Sequence, residues 1–248
     1  MRAGLILAMA AALVFGSLSA GDLTITFATK GKAMAGSGGG GSEIHYYSPN
    51  YQMTRNPDAQ HDTLVDFTKG ITYVIDHKKK TITRITFDDA VAALDSLNQA
   101  GSNTMMASLF GDPNNCKVEK TGVEKILDRN CQGWHIMVGK LTMDLSADPA
   151  LKLPISDAAY ARMVQVRAAQ FAKAGPMGAT FKRLYEEMAK IKGIPLKTHM
   201  SGFMGTDTVT EATKIETTPI PPSTFALPQG YKETDMGKTL RDQAAKTP

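Results

Sequence analysis

The stretch HDTLVDFTKGITYVIDHKKKTITRITF, residues 61–87, decides the fold. Ile71, Tyr73 and Ile75 recur every second residue, and after His77-Lys78-Lys79-Lys80 the segment Thr81 to Phe87 resumes a strand-like composition. A period of two places successive side chains on opposite faces of a half-buried strand. Thr63 to Phe67 reads as a strand too, with Lys69-Gly70 as the turn that follows it. Parallel neighbours would need a crossover of a dozen or more residues, and no connection here is that long. The segment therefore predicts an antiparallel meander.

Working outward toward the N-terminus, Leu23, Ile25 and Phe27 alternate with Thr24 and Thr26. The Gly-rich run from Gly36 to Gly41 interrupts, and Ile44 to Tyr47 and Tyr51 to Thr54 resume around Ser48-Pro49-Asn50. This makes about six short strands, with no internal repeat of fixed period read among them. Toward the C-terminus the period changes at Asp88, a candidate N-cap, with Val91, Leu94 and Leu97 on one helical face and Gly101 at the end. A hairpin is expected from Cys116 to Lys120 and Val123 to Leu127, turning at Thr121-Gly122. A long strand-like stretch then runs from Gln132 to Leu145. Two helices follow, one from Ser156 to Ala174 and one carrying Phe181, Leu184, Tyr185, Met188 and Ile191. Gly193 reads as the C′ residue of the second, with Pro195 beyond it. Strands from Leu196 to Met204 and Thr208 to Thr217 complete the pattern. The order predicts an α+β fold: one large antiparallel sheet curved around helices that pack on its concave face. Residues 21–234 are expected to form one domain, followed by a polar tail from 235 to 248.

The ends bear on where the protein works. Arg2, an apolar run from Leu5 to Leu18, and small residues before Ala20-Gly21 form a signal-peptide pattern over residues 1–20. The expected location is periplasmic or extracellular, with no transmembrane segment in the mature chain. The formal net charge of +4 is scattered, so nucleic acid is not an expected partner, and the lysine run reads as a solvated hairpin tip. Two cysteines in an exported chain favour a bridge, so a Cys116–Cys131 disulfide is expected.

Chemical motifs are sparse. Gly36-Ser37-Gly38-Gly39-Gly40-Gly41 matches a dinucleotide pattern in letters, but a strand follows it where the phosphate would need a helix N-terminus. There is no G-x-S-x-G, H-E-x-x-H or C-x-x-C. The five histidines are dispersed, and His61 and Asp62, adjacent on one strand, face opposite sides. No catalytic residue, metal ligand or cofactor is assigned. The fourteen methionines are the compositional signal, since their flexible, polarizable side chains suit adaptable apolar pockets. Met105, Met106, Met163, Met188, Met200 and Met204, with the single Trp134, are the candidate contacts for an apolar ligand.

Several phrases carry a resemblance: Glu43 to Ser48, His61 to Phe67, Ile71 to Lys80, Cys131-Gln132-Gly133-Trp134, Lys192 to Thr198, and Pro219 to Lys232. In that order they resemble a bacterial exported family that is a domain of unknown function in periplasmic and outer-surface proteins. The early strands are also similar to the LolA/LolB lipoprotein carriers. That similarity implies a curved antiparallel sheet holding helices on its concave face, and acyl chains as a ligand class. The expected function is non-catalytic binding of a lipid, lipoprotein or other apolar ligand. The competing readings are an interaction or assembly protein of the cell envelope, and an uncharacterised hydrolase.

Overall fold

The computed structural model describes residues 21–32, 40–89, 111–156, 158–163, 176–201 and 205–239. Residues 1–20, Met105, Met106, Met204 and most of the two segments expected as helices at 88–101 and 156–174 lie outside these residues. The strands are β1 (Leu23–Lys32), β2 (Gly41–Tyr47), β3 (Tyr51–Asn56), β4 (His61–Asp66), β5 (Ile71–Asp76), β6 (Thr81–Thr86), β7 (Cys116–Ile126), β8 (Arg129–Val138), β9 (Leu141–Asp148), β10 (Ile194–Ser201), β11 (Asp207–Glu216) and β12 (Lys232–Asp235). Among the described residues between β9 and β10 is a helix, α1 (Pro176–Met188). All twelve strands form one open, curled sheet in the order β12-β6-β5-β4-β3-β2-β1-β11-β10-β9-β8-β7. Every pairing is antiparallel except β12 on β6.

The six expected strands are present, and the last four obey a rule that the sequence reading missed. Strands β3 to β6 begin at residues 51, 61, 71 and 81, a ten-residue period of six strand and four turn residues. Strands β3, β4 and β5 end on Asn56, Asp66 and Asp76, whose side-chain oxygen accepts a bond from the backbone N–H three residues on, at 2.9, 3.0 and 2.8 Å. Each turn ends in a left-handed residue: Gln60 at φ 53°, Gly70 at 63° and Lys80 at 53°. The repeat lies in backbone geometry that Asn or Asp, and Gln, Gly or Lys, all satisfy, so no letter recurs at every position.

Three boundaries move. Thr86, not Asp88, caps the helical turn that starts at residue 87: its Oγ1 accepts the Asp89 N–H at 3.0 Å. The expected hairpin at Thr121-Gly122 is a bulge inside one long strand, β7. It fits because Gly133 lies beneath it, where a Cβ would come within 2.2 Å of Thr121 Oγ1, and because the Gln132 amide donates to the Thr121 carbonyl at 2.7 Å. The chain turns instead at Leu127-Asp128, both left-handed. The long stretch from Gln132 to Leu145 is two strands, divided at Gly139-Lys140.

Strand register sorts the side chains into two faces, because directly paired residues share one. On one face α1 packs Phe181 and Leu184, with Ile191 beyond its end, against Ile136, Val138, Leu141, Met143 and Leu145. Leu23, Ile25 and Phe27 of β1 continue that face, in a cluster with Ala212, Leu151, Ile194 and Leu196. The opposite face of β3 to β5 carries Met53, Leu64 and Tyr73, and it is dried by the C-terminal segment through Phe225, Leu227 and Tyr231. A sheet this wide is thus covered from both sides at different places.

The expected Cys116–Cys131 disulfide is corrected: both thiols are free. Cys116 pairs with Val138 and Cys131 with Glu124, at opposite ends of the same two-stranded ladder. The seven residue steps from Cys131 to Val138 span about 23 Å at strand rise, whereas a bridge needs Cα atoms within about 7 Å. Cys131 is fully buried, and burial, with the Asp148 and Glu124 carboxylates adding to it, pushes its thiol pKa up.

Candidate functional site

At the end of the sheet where β9 leaves and β10 enters, the chain forms an open cavity of about 430 Å³. Its apolar lining comes from Leu151, Leu153 and Ile155 after β9, from Tyr160 in the helical turn at 158–163, and from Ile191 and Ile194 after α1. Lys152 and Lys192 complete the lining and are exposed.

Local chemistry fixes these walls. Asp148, at the end of β9, is 3 % exposed; it accepts the Ala150 N–H at 2.8 Å and is paired with Arg129. The carboxylate therefore turns the chain sharply at Pro149 and presents Leu151 inward. On the other wall α1 unwinds through tight backbone bonds, Lys190 N–H to Glu187 O at 3.1 Å and Ile191 N–H to Met188 O at 3.0 Å, which tuck Ile191 into the core. Gly193 is not the C′ residue of α1. It sits five residues past the helix end with φ 96°, and a Cβ there would lie 2.1 Å from the Asp148 carbonyl oxygen. Glycine is required so that the two walls can meet.

Among the residues expected at an apolar ligand site, Trp134, Met188 and Met200 are brought together against the core beneath α1. Met163 is buried at 8 % exposure on the helical turn that also carries Tyr160. None of these four lines the cavity. The aliphatic lining was missed because methionine content drew the reading. The signal was available in Leu151-Lys152-Leu153 and Ile191-Lys192-Gly193-Ile194, where lysine is set between apolar residues.

The polar clusters lie elsewhere. As expected, His61 and Asp62 part company: His61 Nε2 is 3.3 Å from Asp76 and Asp62 is 3.0 Å from His77 Nε2. His77 Nδ1 also meets the Tyr231 hydroxyl at 3.0 Å. On the solvent face of β8 to β11, Asp144 lies 2.6 Å from His135 and 3.7 Å from His199, which in turn lies 2.7 Å from Asp207. Among the described residues the side-chain partners of these histidines are carboxylates and a phenol, with His61 Nδ1 also 2.7 Å from the Ala59 carbonyl oxygen. In the next row Glu124 accepts from the Ser146 hydroxyl and from Lys197 at 3.0 Å. The Ser146 bond, with Lys197 adding to it, outweighs burial and lowers the Glu124 carboxyl pKa. No group of three or more His, Cys, Asp and Glu among the described residues is arranged to hold a metal ion. No helix among them is long and apolar enough to cross a membrane.

Comparison with solved structures returns low-identity likenesses. PNGF-II has 15 % identity and a TM-score of 0.43, over 92 % of this chain and 34 % of that one. MucB in complex with periplasmic MucA has 9 % identity and a TM-score of 0.42, over 86 % and 56 %. A LolA-superfamily protein of Nitrosomonas europaea has 9 % identity and a TM-score of 0.31, over 84 % and 91 %. The chain thus spans about a third of PNGF-II and a little over half of MucB. No curated protein matches it. The profile of the family described as a domain of unknown function (DUF4412) matches residues 39–231, which include every strand from β2 to β11 and most of the cavity's surroundings; the chain belongs to that family.

Proposed function

We propose that this protein is an exported, non-catalytic binding protein that holds a lipid or other apolar ligand in the cavity between β9, α1 and β10. The observation that carries the reading is the cavity itself: about 430 Å³, walled by five aliphatic side chains and one tyrosine, with charge only at its edge. Pockets for small ligands fall in the range of roughly 300–1,000 Å³ and are mostly apolar with a few placed polar groups. Transfer of a methylene from water into such a site is worth about 0.8 kcal/mol. The signal-peptide pattern at residues 1–20 supports action outside the cytoplasm.

The assembly reading has one feature in its favour, the free edge of the sheet at β7, where Val123 is 66 % exposed. That edge also carries the bulge at Thr121-Gly122 and the charges of Lys117, Glu119, Lys120, Glu124 and Lys125. Bulges and charges are devices that keep an edge from pairing with another strand. The cavity is the better-supported site.

The test is titration with an apolar fluorescent probe whose emission rises on leaving water. The wild type is expected to bind one probe saturably. Leu153→Trp and Ile155→Trp, which fill the cavity from half-exposed positions, should each weaken binding at least tenfold while circular dichroism stays unchanged. Binding that is absent, or that both folded variants retain in full, contradicts the proposal.

A further inference from the structure

We infer that the cavity takes a single-chain amphiphile with an anionic head, its alkyl chain inside and its head held between Lys152 and Lys192. The inference rests on the apolar-ligand reading above and adds chain number and head charge. Chain number follows from volume. At roughly 30 Å³ for a methylene-sized group, one chain of about twelve carbons fits within 430 Å³. Two or three chains would need two or three times the space.

Head charge follows from the lysines. Several of the described lysines have a carboxylate partner, among them Lys69 with Asp66 at 3.2 Å, Lys79 with Asp76 at 3.1 Å, Lys190 with Glu187 at 2.7 Å and Lys197 with Glu124 at 3.0 Å. Lys152 and Lys192 have no ion pair among the described residues, although both line the cavity. No carboxylate contributes to the lining. The nearby acids are engaged elsewhere, Asp148 with Arg129 and Glu187 with Arg183 and Lys190. Each lysine is flanked by lining residues, Leu151 and Leu153 on one wall and Ile191 and Gly193 on the other. Its methylene stem can therefore follow apolar surface while the ammonium stays in water. An apolar slot with two unneutralised cations at its mouth complements an anion on a hydrocarbon chain. The shared chemistry is an anionic head, carboxylate or phosphate.

The experiment is calorimetric titration of the full mature chain at low ionic strength, below micelle formation, with four ligands of equal chain length: dodecanoate, dodecyl phosphate, dodecanol and dodecyltrimethylammonium. Both anions are expected to bind about tenfold or more tighter than the alcohol, with the cation weakest. Shortening the carboxylate should cost about fourfold per methylene. In Lys152→Gln/Lys192→Gln the anions should fall to the alcohol's affinity while the alcohol is unchanged, and added salt should do the same to the wild type. A phosphate that outbinds the carboxylate identifies a phosphate head, and the reverse order a carboxylate. Alcohol and anions binding equally overturns the inference and leaves the apolar reading standing. Binding of none of the four overturns both.

Discussion

At the residue scale the account depends on positions whose neighbours leave one solution. Gly193 is the clearest, with left-handed backbone and the Asp148 carbonyl where a side chain would be. Gly193→Ala should therefore lose at least about 2 kcal/mol, read as a lower urea midpoint, and weaken probe binding with it. A drop in stability below half that figure would mean the walls can part without cost. Asp66 makes a second case. Burial pushes its carboxyl pKa up, but the Thr68 hydroxyl at 2.6 Å, the Lys69 N–H and the Lys69 ammonium together pull it below its ordinary value. A carboxyl lowered in the folded state adds stability above its unfolded pKa of about 3.9, and that stability is lost as pH falls through the folded value. Urea midpoints measured from pH 6 to pH 2 should fall more steeply below about pH 4 for wild type than for Asp66→Asn, which starts lower. Parallel profiles would contradict this. The sequence made Gly193 visible as a break, yet its reason was not legible, because the contact with Asp148 joins residues 45 positions apart.

At the element scale the meander is the most legible part, since alternation is a local signal and Ile71, Tyr73 and Ile75 carry it unaided. Less legible were features set by a partner strand. The bulge at Thr121-Gly122 looks like a turn until Gly133 is known to lie beneath it. β12 is a four-residue strand of Lys-Glu-Thr-Asp with no alternation to read, and it exists because β6 offers a free edge. The ten-residue hairpins make a direct prediction. Lys80 holds the left-handed position that Gly70 fills in the preceding turn, at a cost of about 1–2 kcal/mol for a side chain there. Lys80→Gly should raise stability by up to about 1 kcal/mol, and Gly70→Ala should lower it by a similar amount. Thermal or urea unfolding in which Lys80→Gly lowers stability, or Gly70→Ala leaves it unchanged, would show that the turns are not equivalent.

At the scale of the whole molecule, one twelve-stranded sheet is covered by α1 on one face and by the segment through Phe225, Leu227 and Tyr231 on the other. The predicted class, a curved antiparallel sheet with a helix packed on it, was legible from the order of periods along the chain. The cavity was not, because its walls come from 149–155, 160 and 191–194, and α1 must pack before they meet. The measurement closest to the central claim is native mass spectrometry of the mature protein purified from the cell envelope without detergent. The wild type should carry one additional mass of single-chain lipid size that organic solvent removes, and Ile155→Trp should appear at its bare polypeptide mass. A wild type at bare mass, even after incubation with an extract of envelope lipids, would contradict the account.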